Sequence, residues 1–391
     1  MIRIVVASLF VLHGLIHLFG FAKAFGFADL PLLAQSISEP VGVLWLMAAL
    51  LCFAAAAALF VTPRRWWIVG ALAVAASQIV IATSWSDASV GTVANLLLFV
   101  AVLYGFAARG PFSLRAEFEH ALAREWPSAD PRLVTEDDLA ALPEPLQRYL
   151  RRAEVVGRPS VVDFRARFTG RIRSGPDSPW MTFTADQMNI LDTPRRFFRM
   201  DARMKGLPVD VLHSFDDKGA TMRVRLLSVR TMVDAHGADM TRAETVTLFN
   251  DMCVLAPGAL IFATSNSSVT WESLDANHVI GHFTLGVNTI TAELTFDDDG
   301  DLVDFVSDDR AAGSPDGRTF TPVRWSTPVH DYARVGPARV ATKAETRWHP
   351  ATGAWTYGEF ALTSLTYNDA HRHRSTEPSV PSIIAGTRTD G

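Results

Sequence analysis

Hydrophobic positions follow two different rhythms along this chain. Up to residue 110 they form near-continuous apolar runs, Ile4 to Phe21, Val41 to Val61, Trp66 to Trp85 and Thr92 to Ala108. Each run approaches the ~20 residues that a helix needs to cross a ~30 Å hydrocarbon layer. Because the apolar character is continuous rather than alternating, the runs predict about four transmembrane helices and not barrel strands. Small residues, Ala54 to Ala58 and Gly70, Ala71, Ala73, Ala75 and Ala76, fall where packed helices need close approach. Residues 1–110 are expected to form an α-helical transmembrane bundle.

From residue 111 to 157 the pattern is that of a helical connector. Leu114, Phe118 and Leu122 recur every four residues among charges, which predicts an amphipathic helix lying on the bilayer surface or capping the C-terminal domain. Thr135 with Asp138 reads as a capping box for a short helix ending near Leu142, and a second helix is expected from Pro145 to about Val155, closed by Gly157.

Beyond Arg158 the period becomes two. Val162, Phe164, Ala166, Phe168 and Ile172 alternate with Asp163, Arg165, Arg167, Arg171 and Arg173, giving a strand with one dry and one charged face. The alternation returns at Met181 to Ala185, Ala220 to Leu226 and Ile290 to Phe296. The last run enters the acidic turn Asp297 to Asp301, so a hairpin with Leu302 to Val306 is expected; calcium-loop ligand spacing is missing there. Further strands are expected at Phe197 to Ala202, Pro208 to Phe215, Val269 to Ser273, Val279 to Leu285, Val323 to Ser326, Arg339 to Trp348 and Trp355 to Tyr367. Thr241 to Cys253 is the one helical stretch among them, stopped by Pro257 and Gly258. The expected assembly over 158–368 is a mainly antiparallel β domain, a curved sheet or half-barrel with one covering helix. Residues 369–391, rich in Ser, Pro, Thr and charge, are expected to be a disordered tail.

Composition sharpens this picture in three ways. A formal net charge of -5 over 391 residues provides no basic field, which argues against nucleic-acid binding. Mean hydropathy of +0.16 is high for a soluble chain, and the excess lies before residue 110. The only cysteines are Cys52 and Cys253, so neither a disulfide framework nor a cysteine metal site is expected. Loop charges set an orientation: Arg3, Arg64, Arg65, Arg109 and Arg115 fall on one side, and Asp29, Glu39 and Asp87 on the other, with only Lys23 near its boundary. By the positive-inside rule the N-terminus and the large C-terminal domain face the cytoplasm. Ala22-Lys23-Ala24 has the small-x-small look of a processing site, but the lone Arg3 and the interruptions at His13 and His17 suit a retained helix better.

Candidate chemistry falls into three groups. His13, His17, Gln78 and Asn95 are polar residues within apolar runs, where they serve either as hydrogen bonds between packed helices or in a ligand or proton role. His13 and His17 project from one helix face and cannot ligate opposite faces of one haem; no metal and no cofactor are expected. In the β domain, Glu244, Asn250 and Asp251 on the helix, with Asp308, Arg310 and Trp325 from the strands, are the ligand-binding candidates. Arg165, Arg167, Arg171 and Arg173 would meet Arg223 and Arg225 if their strands were neighbours, forming a patch for anionic lipid at ~1 kcal/mol per charge. His278 and His282 share a strand face but lack a third ligand. No HExxH, GxSxG, P-loop or strand-linked GxGxxG occurs, which lowers the expectation of an enzyme.

The runs Leu142-Pro143-Glu144-Pro145-Leu146-Gln147-Arg148-Tyr149-Leu150, Ala243-Glu244-Thr245-Val246-Thr247-Leu248-Phe249-Asn250-Asp251, and Ser307-Asp308-Asp309-Arg310 with Trp325-Ser326-Thr327-Pro328 resemble an uncharacterised bacterial family, a domain of unknown function often placed after membrane helices. The resemblance covers roughly residues 140 to 370 and implies no activity. A looser, architectural likeness is to lipoprotein-carrier (LolA-like) domains, which implies a curved sheet and helix enclosing a cavity for acyl chains. The expected protein is a multi-pass component of a bacterial inner membrane, non-enzymatic, binding a lipid or other apolar ligand between sheet and helix. The alternatives are a membrane enzyme acting on a lipid-soluble substrate, with Glu244 or Asp251 as base and His13 or His17 contributing from the bundle, or a structural or sensory scaffold.

Overall fold

The structure is a computed structural model, and it describes residues 2–369 except 32, 127, 128 and 265. The expected disordered tail lies outside the described residues apart from Asp369. Contacts divide the chain into two compact units, the N-terminal helices and the sheet domain.

In the first unit, α1 (Ile2–Ala24), α2 (Glu39–Val61), α3 (Trp66–Thr83) and α5 (Gly91–Arg109) correspond to the four apolar runs, and a short α4 (Trp85–Ala88) precedes the last. All four are long and apolar enough to cross a bilayer. Phe10, Cys52, Ala55, Leu59, Trp66, Ala73, Leu98 and Val102 close the interior. Outward-facing residues are apolar too, among them Leu12, Ile16, Leu72, Ile79, Leu96 and Val100, an exterior that water would not favour. Close approach is built in: a Cβ added at Gly20 would sit 2.1 Å from the Trp45 ring. Of the small residues expected at helix contacts, Ala55, Ala56, Ala58, Gly70 and Ala73 are buried. Ala71 and Ala75 face outward, because only one stripe of α3 meets its neighbours.

The connector forms α6 (Leu114–Ala123), α7 (Glu136–Leu139) and α8 (Glu144–Arg152). Thr135 and Asp138 make the expected capping box, and the helix it opens ends three residues before Leu142. Gly157, at φ +76°, closes the segment after α8 in a conformation that favours glycine.

The sheet domain has strands β1 (Asp163–Ile172), β2 (Met181–Ile190), β3 (Arg195–Met204), β4 (Leu207–Asp216), β5 (Gly219–Leu226) and β6 (Arg230–His236), then α9 (Ala238–Leu255). After the helix come β7 (Ser267–Ser273), β8 (His278–Leu285), β9 (Asn288–Phe296), β10 (Leu302–Ser307), β11 (Ala311–Gly313), β12 (Phe320–Pro322), β13 (Trp325–Ser326), β14 (Val329–Val335), β15 (Ala338–Trp348) and β16 (Trp355–Tyr367). Among the described residues one sheet of fourteen strands runs β6-β5-β4-β3-β2-β1-β16-β15-β13-β10-β9-β8-β7, with β14 on β15. The expected acidic hairpin is present, β9 pairing β10 antiparallel. A single bulge between Arg167 and Phe168 marks the β1–β16 seam, and Gly170 there lets the Glu359 carbonyl approach to 2.0 Å of where a Cβ would stand.

The sheet curls into a half-barrel around α9. That helix is hydrogen-bonded to β2, β3 and β4 on one side and packs on β9 and β10 on the other, which a flat sheet could not do. Every residue of α9 from Ala243 to Leu255 is buried, so it is an enclosed helix rather than a surface one. Phe249 stacks on Phe283 at 5.1 Å and meets Phe305 edge-on at 5.6 Å. Its C-terminal carbonyls, which have no partners within a helix, are met by two phenols. Tyr149 of α8 donates to the Cys253 carbonyl at 2.6 Å, and Tyr367 of β16 donates to that of Leu255. Burial pushes both hydroxyls well above the usual tyrosine range, keeping them protonated donors.

Candidate functional site

Alternation decides what faces α9. On β3, Arg196 shares the inner face with Phe198, Met200 and Ala202; on β2, Gln187 and Asn189 continue the face of Phe183 and Ala185; on β4, His213 lies opposite Phe198. Between these strands, the β10–β16 region and α9 lies a cavity of about 510 Å³. Its walls are mainly apolar, with Phe168, Phe198, Met200, Trp325, Trp348 and Phe360 prominent, and polar groups gather along the helix.

The deepest of these is a buried ion network. Arg196 Nε donates to Asp251 Oδ2 at 2.7 Å and its Nη1 to Glu244 Oε2 at 3.0 Å. His213 Nδ1 lies 3.0 Å from the other Glu244 oxygen, and Gln187 and Asn189 amides donate to Asp251 Oδ2 at 2.8 and 3.0 Å. Burial raises the Glu244 carboxyl, but the charges of Arg196 and His213 outweigh it and hold Glu244 well below the usual range. For Asp251 burial prevails and the carboxyl is pushed up, despite Arg196 and Asn189, with the Glu244 charge adding to the rise. Both Glu244 oxygens, and Oδ2 of Asp251, are thus committed to protein partners. Glu244 and Asp251, seven residues apart on α9, meet at a common guanidinium.

Asn250 and Arg310 behave differently. Asn250 is 7% exposed and its side-chain nitrogen is buried with no hydrogen-bond partner among the described residues. Arg310, just before β11, donates through Nη1 to the Thr247 hydroxyl, while its Nε is buried without a partner. Its guanidinium lies 4.3 Å from the Trp325 ring and 5.7 Å from Trp348. Trp325 is itself fixed, its indole N–H donating to the Tyr357 hydroxyl at 3.0 Å.

The other expected site residues divide. Asp308 does not join the cavity: its side chain is 73% exposed and pairs with Arg324 at 3.5 Å, because the chain leaves the sheet after Ser307 and turns Asp308 outward. Asp309 instead takes Arg242 at 2.5 Å. The two arginine sets are not one patch. Strands β1 and β5 are separated by β2, β3 and β4, so Arg223 and Arg225 lie far along the sheet from Arg165, Arg167, Arg171 and Arg173. Arg165 and Arg167 pair with Asp186, Arg171 with Glu359, and Arg173 donates to the Thr356 carbonyl and lies over Trp180. The helix-bundle residues do converge. His13 and His17 both reach Ser77 Oγ at 2.8 Å, Ser77 donates to Asn95, Asn95 to Gln78 and Gln78 to Thr92, a chain of hydrogen bonds tying α1, α3 and α5 together.

Arg196, His213, Gln187 and Asn189 do not stand out in the sequence as site residues. The available signal is register: each stands at a dry position of an alternating strand.

The profile of a Family of unknown function (DUF6544) matches residues 132–360. No curated relative matches the chain in sequence. Solved structures similar to it include a LolA superfamily protein of Nitrosomonas europaea, at 10% identity and TM-score 0.33, over 57% of this chain and 92% of that one. A DUF1329 family protein of Desulfovibrio piger has 12% identity and TM-score 0.34, again over 57% and 92%. A domain described as an outer membrane lipoprotein-sorting protein, from Vibrio parahaemolyticus, has 11% identity and TM-score 0.32, over 59% and 96%.

Proposed function

The chain belongs to the DUF6544 family of unknown function, and we propose that it is a multi-pass membrane protein whose β domain binds a lipid or other apolar ligand beside α9. The observation that carries this is the cavity of about 510 Å³ between helix and sheet, within the size range of ~300–1,000 Å³ typical of small-molecule sites and walled by aromatic and Met side chains. The role is that of a binding module: of the candidate bases, Glu244 spends both oxygens on Arg196 and His213, and Asp251 Oδ2 is taken by Arg196, Gln187 and Asn189.

Apolar exteriors on α1, α2, α3 and α5 support residence in a bilayer. Arg3, Arg64, Arg65, Arg109 and Arg115 favour the cytoplasmic side of a bacterial inner membrane for the sheet domain under the positive-inside rule.

The test is native mass spectrometry of the full chain released from detergent, with solvent extraction of whatever it retains. Bound lipid is expected, and Ala312→Trp, which fills part of the cavity beside β11, should remove it while leaving the melting temperature near that of the parent. Equal lipid retention by both proteins would place the lipid on the bundle and sink this reading.

A further inference from the structure

The cavity has a chemical polarity of its own. Its acidic side chains, Glu244 and Asp251, are held by Arg196, whereas two further cations that line it, Arg173 and Arg310, make no salt bridge among the described residues, the Arg310 charge acting on Glu244 only from a distance. Arg310 is held in place from two sides. Its Nη1 bonds the Thr247 hydroxyl, which in turn donates to the Ala243 carbonyl, and the flat face lies on Trp325. Thr247 and Asn250 are three residues apart on α9 and so share a face, and Asn250, whose amide nitrogen has no partner among the described residues, lines the same cavity as Arg310. Two buried donors, one of them charged, thus lack acceptors at the border of an apolar chamber. Leaving buried donors unmet is costly, and a bound oxyanion would relieve it.

We infer that the ligand is an anionic amphiphile, its carboxylate or phosphate oxygens accepting from Arg310 and the Asn250 amide and its hydrocarbon chain lying against Phe168, Phe198, Met200 and Phe360. The inference rests on the cavity-binding reading above and adds the charge of the head and the residues that take it. Arginine suits the task because its planar fork offers paired donors to a carboxylate or phosphate and stays charged at any working pH. Trp325 and Trp348 around the guanidinium exclude water from the ion contact. Arg173, over Trp180 at 4.6 Å on the cavity lining, adds positive potential.

The experiment uses the full chain in an uncharged maltoside detergent, delipidated and titrated with three probes of one chain length: palmitate, hexadecyl phosphate and hexadecanol. At least one anion is expected to bind about tenfold more tightly than the alcohol, and the order of the two anions identifies the source as a fatty acid or a lipid phosphate. Arg310→Met should reduce anion binding to the level of hexadecanol without weakening hexadecanol itself. Asn250→Asp, which keeps side-chain volume and adds a negative charge, should do the same, and serves where Arg310→Met fails to fold. If hexadecanol binds as tightly as both anions, or if both variants retain the preference, the anionic head is refuted and the cavity reading stands. If none of the three probes binds, both readings fall together.

Discussion

Arg196 shows how a single side chain organises the interior. It is 6% exposed and ties β3 to both Glu244 and Asp251 of α9, so its removal would leave two buried carboxyls without their shared cation. Arg196→Met should cost about 3–5 kcal/mol of stability, and the triple variant with Glu244→Gln and Asp251→Asn should recover much of it. Detergent-solubilised full chain, unfolded thermally, reports both; a single variant as stable as the parent refutes the role. Acid should act through Asp301 as well. Burial alone would raise this carboxyl, but paired hydrogen bonds from Arg152 and Arg339, at 2.6 to 2.9 Å, hold it well below the usual range. A carboxyl depressed in the folded state stabilises fully above its unfolded pKa of about 3.9 and loses that contribution progressively as pH falls from there through the lower folded pKa. Melting temperature should therefore drop below about pH 4, and Asp301→Asn should lower stability at pH 7 while shrinking that drop. Arg196 is legible in principle: it stands two before Phe198 and four before Met200. A strand taken to begin at Phe197 conceals it, since the alternation then starts only at the first apolar residue.

At the scale of elements, the buried helix and most strands, the edge strand β7 among them, follow from their patterns, and a few strands do not. Among the strands with a dry face, β1, β8 and β9 are visible because every second residue is apolar. Strands β6 and β14 are not. Both carry mostly exposed or half-buried side chains, β6 at the sheet edge and β14 paired only with β15, so no alternating hydrophobic signal exists to read. The end of α9 is marked by Pro257 and Gly258, but the means of satisfying it lies in α8 and β16. Tyr149→Phe strands the Cys253 carbonyl in the core and should destabilise by about 1–3 kcal/mol, read by denaturant titration; no change would mean that the phenol is dispensable. Gly170→Ala sets a Cβ against the Glu359 backbone oxygen at 2.0 Å, where no side-chain rotation can help. It should open the β1–β16 seam, seen as accelerated amide exchange in those two strands relative to β8 and β9. The three runs that carry the family resemblance meet at this level: Tyr149 holds the end of α9, the second run is α9 itself, and Arg310 with Trp325 lines the cavity beside it.

For the whole molecule, the partition between an oily bundle and a curled sheet is legible because solvent acts on every residue. Hydrocarbon demands unbroken apolar runs, and a sheet with one wet face demands period two. Sidedness belongs here also: protease added to sealed, inside-out vesicles should digest the sheet domain and spare the bundle, and digestion only in right-side-out vesicles would reverse the assigned topology. Sequence by itself determined the long helices, the alternating strands with their dry faces, and the presence of polar residues within them, since these depend on neighbours a few positions away. Only the tertiary structure decided that β1 lies beside β16 and far from β5, that Asp308 turns outward while Arg310 turns in, and that the space around α9 stays hollow. Such outcomes depend on which strands pair across long separations and on how side-chain volumes from distant segments add up, and no local period encodes either.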